Sequence, residues 1–379
     1  MYRGYVRLLD VTSNLFTMFR WNNKPTIMRT NEAENAFVSS HFAMLMSELS
    51  KDSGIAIEEE KLYERIVLKE LPKCVLSDIS VDTKNLIREL APVKWEQVYE
   101  TAVEEILGYV HSSRREQFSD SLFRARDEST EGRIIAAADL MSARLEAEIH
   151  ARFFPDHFSQ PIQSLAERTS HFSDFTPYSL LKQATWLESY EASLLVLLRS
   201  VRWNRINRNV KTTVAGHSFY VSIIAFVLAC MENDAGNHLN IIEVTKRALL
   251  HDISESLTGD IITPTKKKVT GFDEVISKVE EKMLDTELFS KMPKALVLAL
   301  RERSLNPFAG NEGELVRCAD MMAAVIECLL EGRTGNSQTE FRVAFDSLLD
   351  QLGRSSFESV RYVADLFRWG LNWAGKPSP

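Results

Sequence analysis

The sequence predicts an all-α protein with two similar halves, from its helical periodicity, its length and an internal repeat. Segments such as HSFYVSIIAFVLACM and ELVRCADMMAAVIECLLEG carry apolar residues at three- and four-residue spacing, and no segment alternates apolar with polar residues as strands do. At 379 residues the chain exceeds one typical core. We therefore expect two helical domains of roughly 150 to 200 residues each.

The repeat relates the two halves by a nearly fixed offset. Arg-Trp-Asn occurs at residues 20–22 and again at residues 202–204, which sets the offset in numbering between the halves. Further identities fall at that offset or at one less: Thr30 and Thr212, Phe37 and Phe219, Gly54 and Gly236, Asp78 and Asp260, Asp139 and Asp320. Such recurrence indicates an ancient duplication. We expect a first domain at residues 1–178, a second at 179–379, and a Pro- and His-containing connector at 153–179.

Charge and composition favour a cytoplasmic protein without a nucleic-acid or membrane partner. A formal net charge of −8 argues against a nucleic-acid-binding surface as the main function. The longest apolar run, residues 221–231, is too short to cross a bilayer, and the first residues lack the order of a signal peptide. The four cysteines are widely spaced among apolar residues, which predicts buried thiols: Cys74, Cys230, Cys318 and Cys328.

Three helical segments of the second half carry residues of the types that bind divalent metals. His217 opens one amphipathic helix, His251 and Asp252 lie in a helix that begins near Ile241, and Asp320 lies on a third. Two imidazoles and two carboxylates suit manganese, iron, cobalt or zinc and leave positions for water and substrate. A single His-Asp pair is more often exposed or capping. Asp320 is the stronger signal, because an unpaired carboxylate in an apolar helix is costly to bury.

Two carboxylates follow the His-Asp pair. Glu255 comes one helical turn after His251, on the same face, where it can reach a substrate oxygen or a coordinated water. Thr-Gly-Asp at residues 258–260 then turns the chain, and Asp260 offers a second carboxylate.

The order and spacing of these residues resemble those of the HD-domain metal-dependent phosphohydrolases, an all-helical superfamily. The segments RWN, GHS, HDISESLTGDIITPTK and CAD are, more closely, similar to those of bacterial HD-domain 5'-deoxynucleotidases, which remove phosphate from deoxynucleoside monophosphates. The resemblance covers about residues 195 to 335, and the first half only as a decayed copy. It implies two HD-type helical domains in tandem, the second with an intact metal site.

The resemblance also implies roles for individual residues. One divalent ion, Mn, Co, Zn, Fe or Mg, would be bound by His217, His251, Asp252 and Asp320. The acid and base carboxylates would be Glu255 and Asp260, in an order that the sequence does not assign. The substrate would be contacted by Arg202 at the phosphate, Trp203 at the sugar, and Thr258 and Lys266 near the phosphate. For the Arg-Trp pair, an arginine stacked on a tryptophan at a helix end is the alternative.

The expected function is removal of phosphate from deoxynucleoside 5'-monophosphates by a metal-activated water. A phosphomonoester is a dianion, so a metal and an arginine fork neutralise charge that repels a nucleophile. The departing 5'-oxygen needs a proton, which a carboxyl group can supply. The same metal ligands suit a deoxynucleoside triphosphate or other nucleotide phosphohydrolase. A nucleotide-sensing protein that uses the first half is a third interpretation.

The first half has lost most of these residues. Asn35 stands in place of His217, Lys69 in place of His251, Glu70 in place of Asp252 and Lys73 in place of Glu255, while Asp78 and Asp139 persist. A protonated lysine cannot coordinate a metal, and its ammonium can satisfy Asp139 instead. We therefore expect a metal-free pseudo-active site.

Arg20 and Trp21 nevertheless persist in the first half. Either the pair packs a helix junction, which we favour, or the first half still binds a nucleotide and regulates the second. We also expect the two halves to pack as an intramolecular pseudo-dimer, in place of a homodimer, with a further homo-oligomer left open.

Overall fold

The structure is a computed structural model that describes residues 3–76, 79–259, 261 and 269–370. Within these ranges the chain is helical and contains no β-strand, which confirms the all-α prediction. The helices up to residue 182 are α1 Arg3–Thr12, α2 Glu32–Asp52, α3 Glu59–Leu68, α4 Val81–Leu90, α5 Pro92–Tyr109, α6 Arg115–Phe123, α7 Thr130–Ala151, α8 Pro155–Ser170 and α9 Thr176–Lys182. Those that follow are α10 Leu187–Leu197, α11 Val214–Asp234, α12 Ile241–Leu250, α13 Glu255–Thr258, α14 Phe272–Met283, α15 Lys294–Leu305, α16 Gly310–Arg333, α17 Thr339–Leu352 and α18 Glu358–Gly370.

The chain divides into two compact units. One contains residues 3–47 and 56–179, and the other contains residues 48–55 and 180–370. The helices keep the offset of the sequence repeat. Helices α2 and α11 each have 21 residues, helices α3 and α12 each have 10, and the first residues of both pairs are related by the offset that relates the two Arg-Trp-Asn segments. The duplication therefore preserved helix lengths as well as residues.

The expected connector at residues 153–179 is wrong, because most of it forms α8. This helix begins at Pro155, where a missing N–H costs nothing in the first turn. Its residues Phe158 and Leu165 lie in a buried cluster with Leu140 and Ala147 of α7. Two of the prolines that suggested a linker, Pro155 and Pro161, therefore belong to α8, and the third, Pro177, lies in α9.

Helix α11 is the central helix of the second unit. Thr213 caps its start, since the Thr213 hydroxyl oxygen accepts a hydrogen bond from the Gly216 amide at 3.2 Å. Residues 214–232 are all buried, so the helix is not amphipathic as expected. Its 21 residues are long and apolar enough to cross a membrane, which corrects the prediction from the shorter run 221–231. Complete burial is instead typical of a core helix.

The cysteine prediction is confirmed for the four thiols. They are free and buried, and no pair of them forms a disulfide. Burial raises the pKa values of Cys74, Cys318 and Cys328, which keeps these thiols protonated at neutral pH.

Candidate metal centre

A tight loop ahead of α11 carries Arg202 and Trp203. The loop is closed by an isolated antiparallel bridge between Val201 and Thr213. The Arg202 amide donates to the Thr212 carbonyl at 3.0 Å. Trp203 has a φ of 58°, a left-handed conformation that is strained for a bulky residue.

Contacts of the Trp203 side chain hold this strained loop in place. Its indole N–H donates to Oε2 of Glu327 at 2.6 Å, and its ring packs against Phe341 at 5.4 Å between centroids. Trp203 is thereby fixed by α16 and α17, while part of its surface stays accessible.

His217 lies between two carboxylates of α16. Its Nε2 is 2.8 Å from Oδ1 of Asp320, and its Nδ1 is 2.9 Å from Oε1 of Glu327. The ring can donate to both only when it carries two protons. A metal at Nε2 removes this requirement, because Nδ1–H then donates to Glu327, and such a partner orients a histidine ligand.

His251 and Asp252 follow the last residue of α12, because this helix ends at Leu250. This corrects the expectation that the pair lies inside the helix. Nδ1 of His251 lies 2.7 Å from the carbonyl oxygen of Ala248, to which it donates. That hydrogen bond leaves Nε2 with its lone pair, 3.1 Å from Oδ2 of Asp252.

The fold brings the four predicted ligands together. Potential ligand atoms of His217, His251 and Asp252 all lie within 4.8 Å of one another, and the two imidazole centroids are 5.7 Å apart. Asp320 adjoins this cluster through its 2.8 Å contact with His217. This set suits a divalent ion that accepts nitrogen and oxygen donors.

The charges around the cluster do not balance. Arg202 lies 3.5 Å from Asp252 and 3.8 Å from both Asp320 and Glu327. Arg208 lies 3.1 Å from Glu331 and 3.7 Å from Glu327. With both imidazoles neutral, the form in which histidine binds a metal, these four carboxylates and two guanidinium groups leave two negative charges, which a divalent cation would neutralise.

The two carboxylates of α16 that contact His217 stay ionised. Burial alone would raise the pKa of Asp320 and Glu327, but hydrogen bonds to His217 and the charge of Arg202 outweigh burial and hold both pKa values well below the ordinary range. The pKa of Asp252 is lowered against burial by the charges of His251 and Arg202. Ionised carboxylates are the form that binds a metal.

The remaining predicted residues are placed only in part. Glu255 is the first residue of α13, and its amide donates to the Asp252 carbonyl at 3.0 Å, one short turn from the ligand pair. The Thr258 hydroxyl lies 3.3 Å from the Ser254 carbonyl and 3.2 Å from the Gly259 carbonyl. Asp260 and Lys266 lie outside the described residues, and so does Asp78 of the first half.

Two carboxylates of α16 that the sequence analysis missed organise the site. Glu327 contacts His217 and Trp203, and Glu331 accepts hydrogen bonds from Arg208 and from the amides of Asn209 and Val210. The repeat contained a signal for Glu327, because Glu146 aligns with it at the same offset that pairs Asp139 with Asp320.

The corresponding cluster in the first half is built from ion pairs. Nζ of Lys69 lies 2.7 Å from Oδ1 of Asp139, 2.8 Å from Oε1 of Glu70 and 3.3 Å from the Ser39 hydroxyl oxygen. The prediction that Lys69 satisfies Asp139 is therefore confirmed. At the position of His217, the side-chain Nδ2 of Asn35 donates to the Ser142 hydroxyl oxygen at 2.6 Å.

Three more cations complete this cluster. Arg126 lies 2.6 Å from Asp139 and 3.1 Å from Glu70. Lys73 lies 2.6 Å from Glu70 and 2.7 Å from Glu32. Arg20 lies 2.8 Å from Glu146 and 3.1 Å from Glu32. Four carboxylates therefore meet four cations, and the charges of this cluster balance without an ion.

The Arg-Trp loop is nearly the same in both halves. Trp21 has a φ of 54°, its indole N–H donates to Glu146 at 3.0 Å, and its ring meets Phe158 at 5.3 Å between centroids. The Arg20 amide donates to the Thr30 carbonyl at 2.9 Å. The pair therefore packs its loop against neighbouring helices in the same way in both halves.

Comparison with known proteins gives one family for both halves. A family model described as 5'-deoxynucleotidase YfbR-like matches residues 7–176 and again residues 189–369. A 5'-deoxynucleotidase of Shewanella oneidensis is 32% identical over 166 residues, which are 42% of this chain and 82% of that protein. The 5'-deoxynucleotidase YfbR of Escherichia coli K12 is 32% identical over 175 residues, 44% of this chain and 83% of that protein.

Among solved structures, an HD-domain phosphohydrolase from Listeria innocua is 27% identical, with a TM-score of 0.43, and the match covers 48% of this chain and 90% of that chain. Each curated relative thus matches less than half of this chain but most of its own length. Two successive matches to the family model cover most of the 379 residues. The chain therefore belongs to the YfbR-like family of 5'-deoxynucleotidases and carries its helical HD-type domain twice in tandem.

Proposed function

We propose that residues 179–379 form a catalytic HD domain that removes the 5'-phosphate of deoxynucleoside monophosphates, and that residues 1–178 form a degenerate copy with a pseudo-active site. The observation that carries the proposal is the cluster of His217, His251 and Asp252, whose surroundings leave two negative charges unbalanced. The family supports a metal-dependent nucleotide phosphohydrolase. The more specific part of the proposal is that the substrate is a deoxynucleoside monophosphate.

The donor set fits one divalent ion. Nε2 of His251 and Oδ2 of Asp252 are buried, and neither atom has a hydrogen-bond partner of suitable geometry among the described residues. Their 3.1 Å contact with each other does not have the geometry of a hydrogen bond, and such buried polar atoms are costly in a folded protein unless a ligand binds there. The proposed ligands are His217, His251, Asp252 and Asp320. When bound, the ion would polarise the phosphoryl group and supply a nucleophile from water at neutral pH.

Arg202 is the residue that we assign to the phosphate. Its guanidinium lies beside Asp252 and Asp320, so a phosphate held there stands next to the proposed ligands. The surrounding carboxylates, against the effect of burial, raise the pKa of Arg202, so the group keeps its charge. The planar guanidinium can donate two parallel N–H hydrogen bonds to two oxygens of a phosphate dianion.

Glu255 is our candidate for proton transfer to the departing 5'-oxygen, with Asp260 as the second carboxylate. Glu255 lies one short turn beyond Asp252, so its carboxylate belongs to the same segment as the proposed ligand pair. We assign Thr258 and Lys266 to the edge of the phosphate site. Trp203, fixed by Glu327, would pack against the sugar and disfavour a 2'-hydroxyl.

A triphosphate substrate is the alternative, because the same ligands serve both reactions. The test is phosphate release from deoxynucleoside monophosphates, ribonucleoside monophosphates and deoxynucleoside triphosphates with Mn²⁺, Co²⁺ or Mg²⁺. We expect inorganic phosphate from the deoxy monophosphates. Release of pyrophosphate or triphosphate would favour the alternative, and tight binding without turnover would favour a sensor.

The control for this test separates the metal site from the rest of the fold. We expect Asp252→Ala to abolish turnover and to lower metal content, measured by plasma mass spectrometry, from one ion per chain to none. Asp346→Ala removes an exposed aspartate of α17 and should leave both unchanged. Retained metal and activity in Asp252→Ala would contradict the proposal.

The cellular setting completes the proposal. We propose a cytoplasmic enzyme whose two copies form an intramolecular pseudo-dimer. Size-exclusion chromatography with light scattering and a phosphate assay of residues 181–379 test the pseudo-dimer, because a soluble, monomeric and fully active fragment would contradict it.

A further inference from the structure

A cavity of about 1250 Å³ opens in the first unit over the balanced ion cluster. Lys69, Glu70, Lys73, Arg126 and Asp139 line its floor. Small-molecule sites usually have roughly 300 to 1000 Å³, so this cavity has room for a ligand of nucleotide size with bound water. The cavity has therefore stayed open although the metal ligands were replaced by other side chains.

The lining carries an excess of positive charge. The described residues that line it include eight basic side chains, Arg20, Lys24, Lys69, Lys73, Lys84, Arg88, Arg126 and Arg168, against five acidic ones, Glu32, Glu70, Glu96, Glu100 and Asp139. Four of the basic residues, Arg20, Lys69, Lys73 and Arg126, are balanced by the four carboxylates of the ion cluster, Glu32, Glu70, Asp139 and Glu146. The excess therefore lies on the walls.

We call Lys84, Arg88 and Arg168 the basic rim, from α4 and α8. Among the residues that the structure describes, none of the three forms an ion pair. Burial and the positive charges of Lys73, Arg88 and Arg126 lower the pKa of Lys84 to about 8. An anion bound at the rim would relieve this repulsion.

Aromatic rings stand beside the basic rim. Trp95 and Tyr99 of α5 line the same cavity, and both are only half-buried. The Arg88 guanidinium lies 5.5 Å from the centre of the Trp95 ring. A cation next to an accessible aromatic face suits a ligand with a phosphate at one end and a planar base at the other.

The sequence around Lys84 is retained from the duplication. DISVDTK at residues 78–84 aligns with DIITPTK at residues 260–266 at the offset of the repeat, with four identities in seven positions. Over the same offset His217, His251 and Glu255 were lost. A lysine thus persists at this wall although the metal ligands beside it changed.

From the cavity, the basic rim and the aromatic wall, we infer that the first half binds a nucleoside 5'-phosphate without hydrolysing it. Lys84 and Arg88 contact the phosphate, and Trp95 with Tyr99 contacts the base. Lys69 and Arg126 hold Asp139 and Glu70 in ion pairs, so the floor presents no free ligand set for a metal. This binding does not depend on the proposed activity of the second half.

The test is equilibrium dialysis, with dAMP as the probe, of the full chain carrying Asp252→Ala and Arg202→Ala, which together remove the proposed metal and phosphate contacts of the second half. We expect dAMP to bind, and Lys84→Ala with Arg88→Ala to weaken this binding roughly 10- to 100-fold, because two charge-assisted hydrogen bonds are lost. Trp95→Ala should weaken it roughly tenfold through lost stacking. Lys94→Ala is the matched control, an exposed lysine of α5 outside the cavity lining, and should bind like its parent.

Three outcomes would overturn the inference. The first is unchanged dAMP binding in the Lys84→Ala, Arg88→Ala protein. The second is deoxyadenosine binding as tightly as dAMP, which would exclude a phosphate contact. The third is inorganic phosphate binding as tightly as dAMP, which would exclude a contact to the base.

A second measurement separates misfolding from loss of the site. Phosphate release by chains with intact Asp252 and Arg202 should be the same with and without Lys84→Ala and Arg88→Ala, because these residues belong to the first half. If the second half has no activity, the proposed function fails, while the dialysis still decides the inference.

Discussion

The two halves share helices and the strained Arg-Trp loop but differ in the charge of the site. In the second half four carboxylates face two arginines, which leaves two negative charges. In the first half four carboxylates face four cations. Lys69 and Lys73 replace His251 and Glu255, and Arg126 aligns with Phe308 at the offset of the repeat. The comparison teaches that cationic side chains can balance the carboxylates of this site without an ion.

The largest effect is expected from a substitution that gives the second half the lysine found at the same position of the first half. His251→Lys places an ammonium where a neutral imidazole should bind the ion, so metal binding is lost and phosphate release falls at least about 1000-fold. Metal content and a phosphate assay measure this. The reverse change, Lys69→His, should create no activity, because Asn35 and Lys73 remain. Activity in His251→Lys would contradict the assigned ligand.

The second prediction breaks the balanced cluster. Lys69 has a side chain only 1% exposed, and Lys69→Met leaves the Glu70 and Asp139 carboxylates without that partner. We expect the free energy of unfolding to fall by roughly 3 to 5 kcal/mol, measured by urea unfolding with circular dichroism. Lys61→Met, in helix α3, which Lys69 directly follows, removes a 3.4 Å pair with the exposed Glu58 and should cost less than about 1 kcal/mol. Equal stability of the two variants would refute this role of Lys69.

The third prediction concerns the carboxylate that both halves retain. Glu327→Gln removes the charge that orients His217 and should lower metal affinity roughly 10- to 100-fold, as measured by competition with a chelating dye. Glu146→Gln is its counterpart in the first half and should leave metal affinity unchanged. If both variants bind metal like the parent chain, Glu327 has no positioning role.

The fourth prediction is a pH dependence of the first half. Burial would raise the pKa of Asp139, but the charges of Arg126 and Lys69 outweigh burial and the repulsion from Glu70, and lower it from 3.8 to about 2. The unfolded chain therefore takes up this proton first as the pH falls. Asp139 contributes roughly 2 kcal/mol that is present above pH 4 and lost towards pH 2. In Asp139→Asn, unfolding measured across this interval should depend less steeply on pH.

The smallest effect on activity is expected when the proposed contact between Trp203 and the sugar is removed. Trp203→Leu should reduce the preference for deoxy over ribo substrates roughly tenfold, measured as the ratio of kcat/KM values. Trp21→Leu, the same change in the first half, should leave this ratio unaltered. An unchanged ratio in both variants would remove the sugar contact and leave Trp203 with packing alone.

Much of the fold was predictable because its signals are local. Helical spacing predicted the class, and the repeat predicted matching helices such as α2 and α11. Prolines misled at α8, since Pro155 starts a helix and apolar residues further on bury against α7. Spacing alone did not show that α11 is buried on every face, which depends on its tertiary surroundings.

The site residues were predictable where their types are those of metal ligands. They were less predictable where their only signal is a contact with a residue far away in the sequence. His217 and Asp320 are separated by 103 residues, and their choice rested on ligand chemistry in the right order. Arg126 was missed because nothing next to it in sequence indicates a contact with Glu70, 56 residues earlier. Glu327 was missed although its repeat partner Glu146 was visible.

The difference in charge balance also has a consequence for synthesis of the chain. Translation makes the first half before the second, and domains generally begin to fold as they emerge. The balanced cluster of the first half is complete once Glu146 has been made and needs no ion. The second cluster stays incomplete until α16 supplies Asp320 and Glu327, more than a hundred residues after His217. A nascent chain can thus hold one finished half before the other can bind the proposed ion.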